Sequence, residues 1–349
     1  MKNRYLLFTG VKQVELREDP LFDPPAGKAL IRSEYTFISA GTELANLTGK
    51  EPAVFQPGSW CAYPWRPGYA QVGRVHAVGE GFTQAAVGDR VFTLGGHADF
   101  AILSDADLMV RVPDGLDPLD AVASRMAGVA SAVIVAKPPA WYERGWVVVF
   151  GLGMVGNLAA QCYRALGARV IAVDPVESRR ALAERCGIAH TVAAGAGVID
   201  RLHAITGGEA PHIVVDATGR SEVIIDAVTC VGNHGHVVLL GSPRAPLSGD
   251  ITGLLSAIHL RNLTVHGALE WSLPAAQPAG FNSGESRPVR NLTDKQNLIF
   301  DWIRDGRMLV RPLISHVVTP AEAADAYAGL LEHPQRYTGV AINWQEGQA

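Results

Sequence analysis

The chain has 349 residues, is 48% hydrophobic and carries a formal net charge of −4 at pH 7. It can bury a large core, its length favours two domains, and its slightly acidic balance lacks the basic footprint of nucleic-acid-binding proteins. The apolar stretch at the N-terminus is too short for a signal peptide, and we expect no apolar run to approach the ~20 residues of a membrane span. The composition predicts a soluble, cytoplasmic protein with no nucleic-acid or membrane partner.

The N-terminal third contains short β-like segments separated by Gly and Pro. They are residues 5–8, 14–17, 28–35, 73–78, 89–92, 100–103 and 109–112. Short strands with turn signals and no long helical pattern predict a closed or sandwich-like β domain. The four cysteines have no C-x-x-C spacing, so we expect small buried hydrophobes rather than a disulfide framework or a zinc knot.

From residue 117 the pattern changes to helical periodicity over residues 119–136, followed by alternating strands and helices. The strands are expected at 147–150, 170–174, near 191, and at 212–218, 235–241 and 263–269, and the helices at 177–186, 198–206 and 221–230. This alternation predicts an α/β fold with a doubly wound parallel sheet. Residues 274–288 are expected to form a loop, 294–307 a helix, and 314–344 a closing βαβ-like segment.

A glycine turn follows the apolar run 147–150. Gly151, Gly153 and Gly156 have the G-x-G-x-x-G spacing, and Asp174 ends the next apolar run. In a dinucleotide site the first glycine allows a tight turn, the second lets the pyrophosphate approach backbone, and the third lets the helix pack on the strand. The alternative is an ordinary glycine-rich turn, but the strand, helix and terminal acid favour a nucleotide site.

Asp174 bears on the choice of dinucleotide. A carboxylate at this strand end accepts hydrogen bonds from the adenosine ribose hydroxyls and repels a 2′-phosphate, so NAD is favoured over NADP. Arg179 and Arg180 leave the NADP alternative open, because they could pair with such a phosphate if the loop bent back.

Further motifs accompany the glycine turn. They are ISAGTEL at 38–44, PGYAQVGRV at 67–75, VGDRV at 87–91, GGHADF at 95–100 and DATG at 216–219. With these motifs the chain resembles the medium-chain dehydrogenase/reductase superfamily, which includes the zinc-type alcohol dehydrogenases. The resemblance covers essentially the whole chain. It implies a β-rich GroES-like substrate domain (residues 1–130 and 271–349), a Rossmann NAD-binding domain (131–270), a substrate cleft between them and a homodimer or homotetramer. It also implies further cofactor contacts from Met154, Val155, Thr218, Gly219, Gly241 and Ser242.

The zinc ligands of the alcohol dehydrogenases are missing from this sequence. The family's ligand positions match Ala40, Tyr69 with Ala70, and Met126 with Ala127, and none of these residues is a usual zinc ligand. The four-cysteine structural loop is also absent, because VGDRV runs directly into GGHADF. We therefore expect a zinc-independent branch, and the same variant motif resembles bacteriochlorophyllide-type dehydrogenases.

Without zinc, side chains must stabilise the developing alkoxide and move a proton. By the resemblance, Thr42 is the proton-relay hydroxyl, and His97 lies near the substrate pocket unless it is only a turn residue. Tyr69 replaces a ligand histidine, and it either donates to the substrate oxygen or fills the vacated space. Glu43 matches an acid next to the metal and either orients Tyr69, binds a substrate hydroxyl, or has a capping or ion-pairing role.

The insert 48–66 carries Phe55, Trp60, Tyr63 and Trp65. Such aromatic side chains suit stacking on sugar or ring faces, but they also suit a buried loop or a subunit contact. The sequence therefore predicts an NAD(H)-dependent oxidoreductase that interconverts a secondary alcohol and a ketone on a sugar, polyol or ring-bearing substrate. The alternatives are a quinone or enone reductase and a non-catalytic NAD-binding protein.

Overall fold

The computed structural model describes residues 2–136, 145–275 and 291–345. The chain divides into two compact units. Unit 1 comprises Met1–Arg125, Leu273–Arg304 and Leu313–Ala349, and unit 2 comprises Met126–Ser272 and Asp305–Pro312. Unit 2 includes residues 305–312 because Gln161 bonds this segment: its amide accepts from the Leu309 N–H (2.7 Å) and donates to the Leu309 carbonyl (3.1 Å). The sequence analysis had placed this short segment in the other domain.

Unit 1 is built on β-sheets, as the short segments predict. A two-stranded antiparallel sheet pairs β1 (Lys2–Gly10) with β2 (Gln13–Pro20). The second sheet has seven strands in the order β14-β15-β3-β4-β5-β7, with β6 paired to β3. These strands are β3 (Lys28–Phe37), β4 (Gln71–Val78), β5 (Arg90–Thr93), β6 (Phe100–Ser104), β7 (Met109–Arg111), β14 (His316–Val318) and β15 (Val340–Asn343).

Among the described residues, the α-helices that lie wholly in unit 1 are α1 (Ala40–Leu47), α9 (Leu292–Arg304) and α10 (Ala323–Glu332). The closing segment is β14, α10 and β15 with the two strands parallel, as predicted. Helix α1 was not predicted. Its inner side joins a core cluster with α10 and β15 that includes Phe8, Tyr327 and Trp344. The expected loop 274–288 falls largely outside the described residues.

Unit 2 is a six-stranded parallel sheet in the order β10-β9-β8-β11-β12-β13. Its strands are β8 (Trp146–Phe150), β9 (Arg169–Val173), β10 (His190–Val192), β11 (Ile213–Asp216), β12 (His236–Leu239) and β13 (Thr264–Gly267). Counted from β8, this is the 3-2-1-4-5-6 order of a doubly wound nucleotide-binding fold, which confirms the predicted fold class. The order reverses between β8 and β11, so ligands are expected at the carboxyl ends of these two strands.

The helices of unit 2 connect these strands. They are α3 (Ala132–Ala136), α4 (Met154–Ala165), α5 (Glu177–Arg185), α6 (Val198–Thr206), α7 (Ser221–Cys230) and α8 (Thr252–Leu260), while α2 (Pro118–Ala130) begins in unit 1 and ends in unit 2. The helix expected over 119–136 is interrupted at Ser131, whose hydroxyl donates to the Gly128 carbonyl (2.9 Å) and so competes with the helical pattern. Helix α8 was not predicted; none of its residues is fully buried, and only Leu254, Ala257 and Ile258 pack, partly buried, against the core of unit 2.

One stretch, Pro118–Ala136, is long and apolar enough to cross a membrane by length and composition, which corrects the expectation that no run reaches this length. However, 72% of its most apolar window is buried, as in a core helix. All four cysteines are free and buried, as predicted. Burial raises the pKa of the Cys186 thiol to about 11 and that of Cys230 to about 12, which keeps both thiols protonated.

Candidate active site

Three hydroxyl groups meet in unit 1 at the start of α1. Tyr69 lies just before β4, and its hydroxyl donates to Thr42 Oγ1 at 3.3 Å and is hydrogen-bonded to Ser39 Oγ. Ser39 occupies the N-cap position of α1 without a capping bond from its side chain, and Thr42 lies in the first turn of the helix. Ser39 is buried, whereas Thr42 and Tyr69 are half-buried. We call Ser39, Thr42 and Tyr69 the hydroxyl cluster.

The turn that carries Tyr69 is fixed by close packing. Gly68 has φ +100°, and a Cβ there would lie 2.7 Å from the backbone nitrogen of His97 and 2.9 Å from its ring. The His97 N–H donates to the Pro67 carbonyl at 3.0 Å, which joins the two turns. Arg125 donates from Nε to the Tyr69 carbonyl at 3.2 Å, and its guanidinium lies 4.8 Å from the centre of the Tyr69 ring. Tyr69 is therefore held from both sides.

Beneath the hydroxyl cluster lies a set of buried polar side chains, which we call the buried chain: Tyr327, Glu43, His97, Thr36 and Trp344. Glu43 Oε2 accepts from the Tyr327 hydroxyl and lies 3.0 Å from His97 Nε2. His97 Nδ1 lies 2.8 Å from Thr36 Oγ1, which also accepts from Trp344 Nε1 at 2.8 Å. The other oxygen of Glu43, Oε1, accepts from the Ser39 N–H at 2.8 Å, so the buried chain ends on the hydroxyl cluster.

These contacts bear on the expected roles of two residues. The side chains of His97 and Glu43 have no exposed surface, and both ring nitrogens of His97 are engaged within the buried chain. His97 was expected to face the substrate oxygen, and this geometry instead gives it internal partners. Of the roles left open for Glu43, its contacts fit capping and ion pairing: Oε1 accepts from the Ser39 N–H at the start of α1, and Oε2 lies 3.0 Å from His97 Nε2.

Several residues of the site were missed by the sequence analysis. Ser39 stands one position before Ala40 in a motif that was already recognised, so its hydroxyl could have been noted there. Arg125 likewise precedes Met126, which was aligned with a zinc ligand. Tyr327 carried no local signal, because it contacts Glu43 from 284 positions further along the chain.

The donor set at the zinc-ligand positions does not suit zinc. Ala40 and Met126 offer no nitrogen, thiolate or carboxylate, and Tyr69 is held by hydroxyl partners. Among the described residues, no group of three or more His, Cys, Asp or Glu side chains is placed to hold a metal ion.

In unit 2 the glycine turn has the geometry that a dinucleotide requires. Gly151 adopts φ +92°, and a Cβ at Gly156 would lie 1.8 Å from the Gly151 carbonyl oxygen, so α4 packs directly on the turn. A Cβ at Gly153 would meet nothing within 4 Å, which leaves open space where the pyrophosphate is expected. Met154 and Val155 form the first turn of α4 and turn their N–H groups toward the same space.

Asp174 lies at the carboxyl end of β9 and is buried. Its carboxylate accepts from the Leu152 N–H in the glycine turn (2.7 Å) and from the Val176 N–H (2.8 Å). Arg179 lies 3.7 Å from the same carboxylate, and Arg180 donates to the Asp174 carbonyl at 2.7 Å. Both arginines are therefore drawn toward the strand end, and the choice between NAD and NADP stays a prediction.

The remaining predicted cofactor residues lie at the carboxyl ends of β11 and β12. Asp216 Oδ1 accepts from the N–H and the hydroxyl of Thr218, at 2.8 and 2.6 Å. Gly219 packs against Ser242 and Gly241 so closely that a Cβ at Gly241 would lie 2.1 Å from the Gly219 nitrogen. These turns lie at the edge of the sheet where doubly wound folds bind their cofactor.

The sequence is similar to a known protein family and to curated oxidoreductases. Residues 154–278 match the family model "Zinc-binding dehydrogenase". The match begins after positions 40, 69 and 126, so it does not include the positions that correspond to zinc ligands. Among curated proteins, an alcohol dehydrogenase from Moraxella is 24% identical over 88% of this chain and 97% of its own length. A quinone oxidoreductase from Pseudomonas aeruginosa is 30% identical over 53% of this chain and 58% of its own length.

Solved structures share the fold over nearly the whole chain. An alcohol dehydrogenase from Escherichia coli, complexed with NADH, has a TM-score of 0.77 at 19% identity and covers 98% of this chain and 99% of its own. A zinc-binding dehydrogenase from Sinorhizobium meliloti, bound to NADP, has the same TM-score, identity and coverage. At 19% identity this similarity establishes the fold. Because one of these structures holds NADH and the other NADP, they do not distinguish which dinucleotide this chain binds.

Proposed function

Because the chain belongs to the medium-chain dehydrogenase/reductase superfamily of oxidoreductases, we propose that it interconverts a secondary alcohol and a ketone with NAD(H) and without a catalytic zinc. The observation that carries the proposal is the hydroxyl cluster, which occupies the motifs where zinc-dependent relatives keep their ligands. The proposed substrate is a sugar, a polyol or a ring-bearing alcohol, because the insert 48–66 presents the exposed aromatic side chains of Phe55 and Trp60.

In this proposal Tyr69 is the group that faces the substrate oxygen. Its hydroxyl can donate to a developing alkoxide, and Ser39 and Thr42 are in place to pass the proton onward. The positive charge of Arg125, 4.8 Å from the Tyr69 ring centre, favours negative charge at this position. His97 is less suited to the role than Tyr69, because its two ring nitrogens already have partners.

The cofactor residues fit a nicotinamide dinucleotide. Gly153 leaves room for the pyrophosphate, the first turn of α4 offers N–H groups, and Asp174 lies at the strand end where the adenosine ribose is bound in this fold. When bound, the nicotinamide supplies hydride transfer, while the protein binds it, orients it and excludes water.

A second candidate is the reduction of a quinone or enone. It is favoured by the 30% identity to the quinone oxidoreductase, and a hydroxyl donor such as Tyr69 also suits a polarised C=C–C=O group. The two candidate reactions use different substrates. A parallel screen of polyols, sugars, cyclic alcohols and quinones, with NADH absorbance as the readout, therefore separates them. If neither class changes NADH absorbance while NADH still binds, the non-catalytic alternative is favoured.

The mutational test compares Tyr69→Phe with Thr42→Val and His97→Gln on the best substrate. A positioned acid or base contributes about 100- to 10,000-fold in rate, so Tyr69→Phe should lose turnover in that range while the NADH dissociation constant stays near that of the wild type. Turnover that survives both Tyr69→Phe and Thr42→Val would refute the hydroxyl cluster as the proton-handling site.

Metal analysis tests the zinc-independent part of the proposal separately. We expect the purified protein to contain well below one zinc per chain by mass spectrometry and to keep its turnover after prolonged treatment with a chelator. Stoichiometric zinc that is lost together with activity would contradict this expectation.

A further inference from the structure

One assignment of hydrogen-bond directions satisfies the buried chain from end to end. Trp344 Nε1 is only a donor, so Thr36 Oγ1 accepts from it and can donate its own hydroxyl hydrogen to His97 Nδ1. His97 then carries its proton on Nε2 and donates to Glu43. This assignment gives both ring nitrogens of His97 a partner and leaves Glu43 as the only anion among the five side chains of the buried chain.

Tyr327 is a fixed donor to that anion. Burial raises the pKa of its hydroxyl well above the usual value of 10, and the neighbouring Glu43 charge adds to the effect. The hydroxyl therefore stays protonated at neutral pH, and it holds Glu43 Oε2 from the side of α10. The Glu43 carboxylate thus receives three hydrogen bonds, from Tyr327, His97 and the Ser39 backbone.

We propose that Tyr327 and His97 are positioning residues that act through Glu43 to hold Ser39 in place against the Tyr69 hydroxyl. The inference rests on the proposed function, because it assigns these residues to the same hydroxyl cluster. Glu43 Oε1 can hold the Ser39 N–H only while Oε2 is fixed by its two other donors. The Ser39 hydroxyl, one side chain away, then has a defined position beside Tyr69.

Loss of one hydrogen-bond donor to Glu43 should shift the Glu43 carboxylate while all three side chains of the hydroxyl cluster remain present. A buried carboxylate that loses a partner must find another donor or turn, because an unpaired buried acceptor is unfavourable. Rotation of Glu43 toward a replacement donor would weaken its bond to the Ser39 N–H. The effect should appear in turnover rather than in substrate binding, since neither Tyr327 nor His97 is expected to touch the substrate.

The test uses Tyr327→Phe, with Tyr337→Phe as its matched control. Tyr337 is in the same unit and stacks on His316 outside the buried chain, with ring centres 3.8 Å apart. We expect Tyr327→Phe to lower kcat about 10- to 100-fold with KM changed less than about threefold, as for an interaction needed mainly in the transition state. Tyr337→Phe should leave kcat unchanged, and equal effects of the two variants would overturn the proposal.

A double-mutant cycle separates positioning from general destabilisation. In a Ser39→Ala background, Tyr327→Phe should have little further effect on kcat, because its route to Tyr69 has already been removed. Fully additive effects would indicate a structural role only and would refute the proposal.

If Tyr327→Phe does not fold, a second pair of variants tests the other side-chain donor to Glu43, which is His97. The amide of His97→Gln can donate to Glu43, whereas His97→Leu cannot. We expect the glutamine variant to retain more turnover and to keep the wild-type pH profile of kcat. Loss of a limb of that profile in His97→Gln would make His97 itself the proton donor and would overturn the proposal.

Proton NMR of the wild type keeps this inference distinct from the proposed function. The Tyr327 hydroxyl proton, buried and bonded to a carboxylate, should give a slowly exchanging downfield resonance that disappears in Tyr327→Phe. Absence of this resonance would refute the buried chain whatever the substrate. Its presence in a protein that oxidises no alcohol and reduces no ketone would instead refute the proposed function.

Discussion

Asp174 combines two roles in one carboxylate. It closes the glycine turn by accepting from the Leu152 N–H, and it lies where the adenosine ribose is bound in this fold. Its contacts with Val176 and Arg179 show that the carboxylate is held even without a ligand. A substitution at Asp174 should therefore affect both the cofactor preference and the local stability of the turn.

We predict that Asp174→Ser weakens NADH binding about 10- to 100-fold, which corresponds to the loss of one hydrogen bond to a charged group. Binding of NADPH should fall less or improve, because the carboxylate no longer repels a 2′-phosphate and Arg179 is released to pair with it. Fluorescence titration with both nucleotides measures the ratio, and thermal unfolding controls for damage to the turn. An unchanged ratio of the two affinities would contradict this role for Asp174.

Single residues were predictable from the sequence where a local pattern determines their position. The spacing of Gly151, Gly153 and Gly156 was enough to predict their different roles, and the geometry of the turn agrees with them. The partners of Glu43 were not predictable, since Tyr327 and His97 reach it through tertiary packing and from distant positions. No periodicity or motif records such a contact.

At the scale of elements, the strands and helices of unit 2 could be predicted closely. Helices α6 and α7 begin and end where the pattern indicates, because alternating buried strands and amphipathic helices give strong periodic signals. Helix α1 was missed because its eight residues are too few for a clear period and lie within a motif that suggests a loop. Thr42 and Glu43 are therefore on a helix, where successive side chains point in different directions.

The glycine turn offers a prediction with an internal control. Gly156→Ala should lower both the melting temperature and NADH affinity, because its Cβ would meet the Gly151 carbonyl oxygen at 1.8 Å. Gly153→Ala should leave the melting temperature within a few degrees of the wild type, because its Cβ faces open space. It should nevertheless weaken NADH binding, since the methyl group enters the space expected for the pyrophosphate.

Differential scanning fluorimetry with and without NADH measures both effects on the same samples. The decisive result is the contrast between the two variants. If Gly153→Ala binds NADH as tightly as the wild type, the pyrophosphate does not lie against the turn as this fold implies.

At the scale of the whole molecule, the open edge of the unit 2 sheet is the feature that bears on assembly. Among the described residues, β13 is the last strand of this sheet, and β12 is the strand it pairs with. Large apolar side chains are exposed on and around it. They are Leu255 (54% exposed), Leu260 (75%), Val265 (41%), Leu269 (66%) and Trp271 (55%).

We propose that a second copy of the chain covers this edge and forms a homodimer. A sheet that ends in a strand bordered by exposed apolar side chains favours association, and a twofold axis would pair β13 with its own copy in antiparallel register. The exposed side chains of Leu255 and Leu260 on α8 would lie beside the same contact.

We predict that Val265→Asp converts the dimer to a monomer in sedimentation velocity, because a charge at the paired edge is disfavoured when it is buried against its own copy. Val317→Asp is the matched control, since Val317 is similarly exposed (48%) on β14, at the end of the unit 1 sheet, where only three residues form the strand. This control should remain dimeric. A wild type that sediments as a monomer at every concentration, or a Val265→Asp variant that remains dimeric, would refute the proposal that a second copy pairs with the edge of β13.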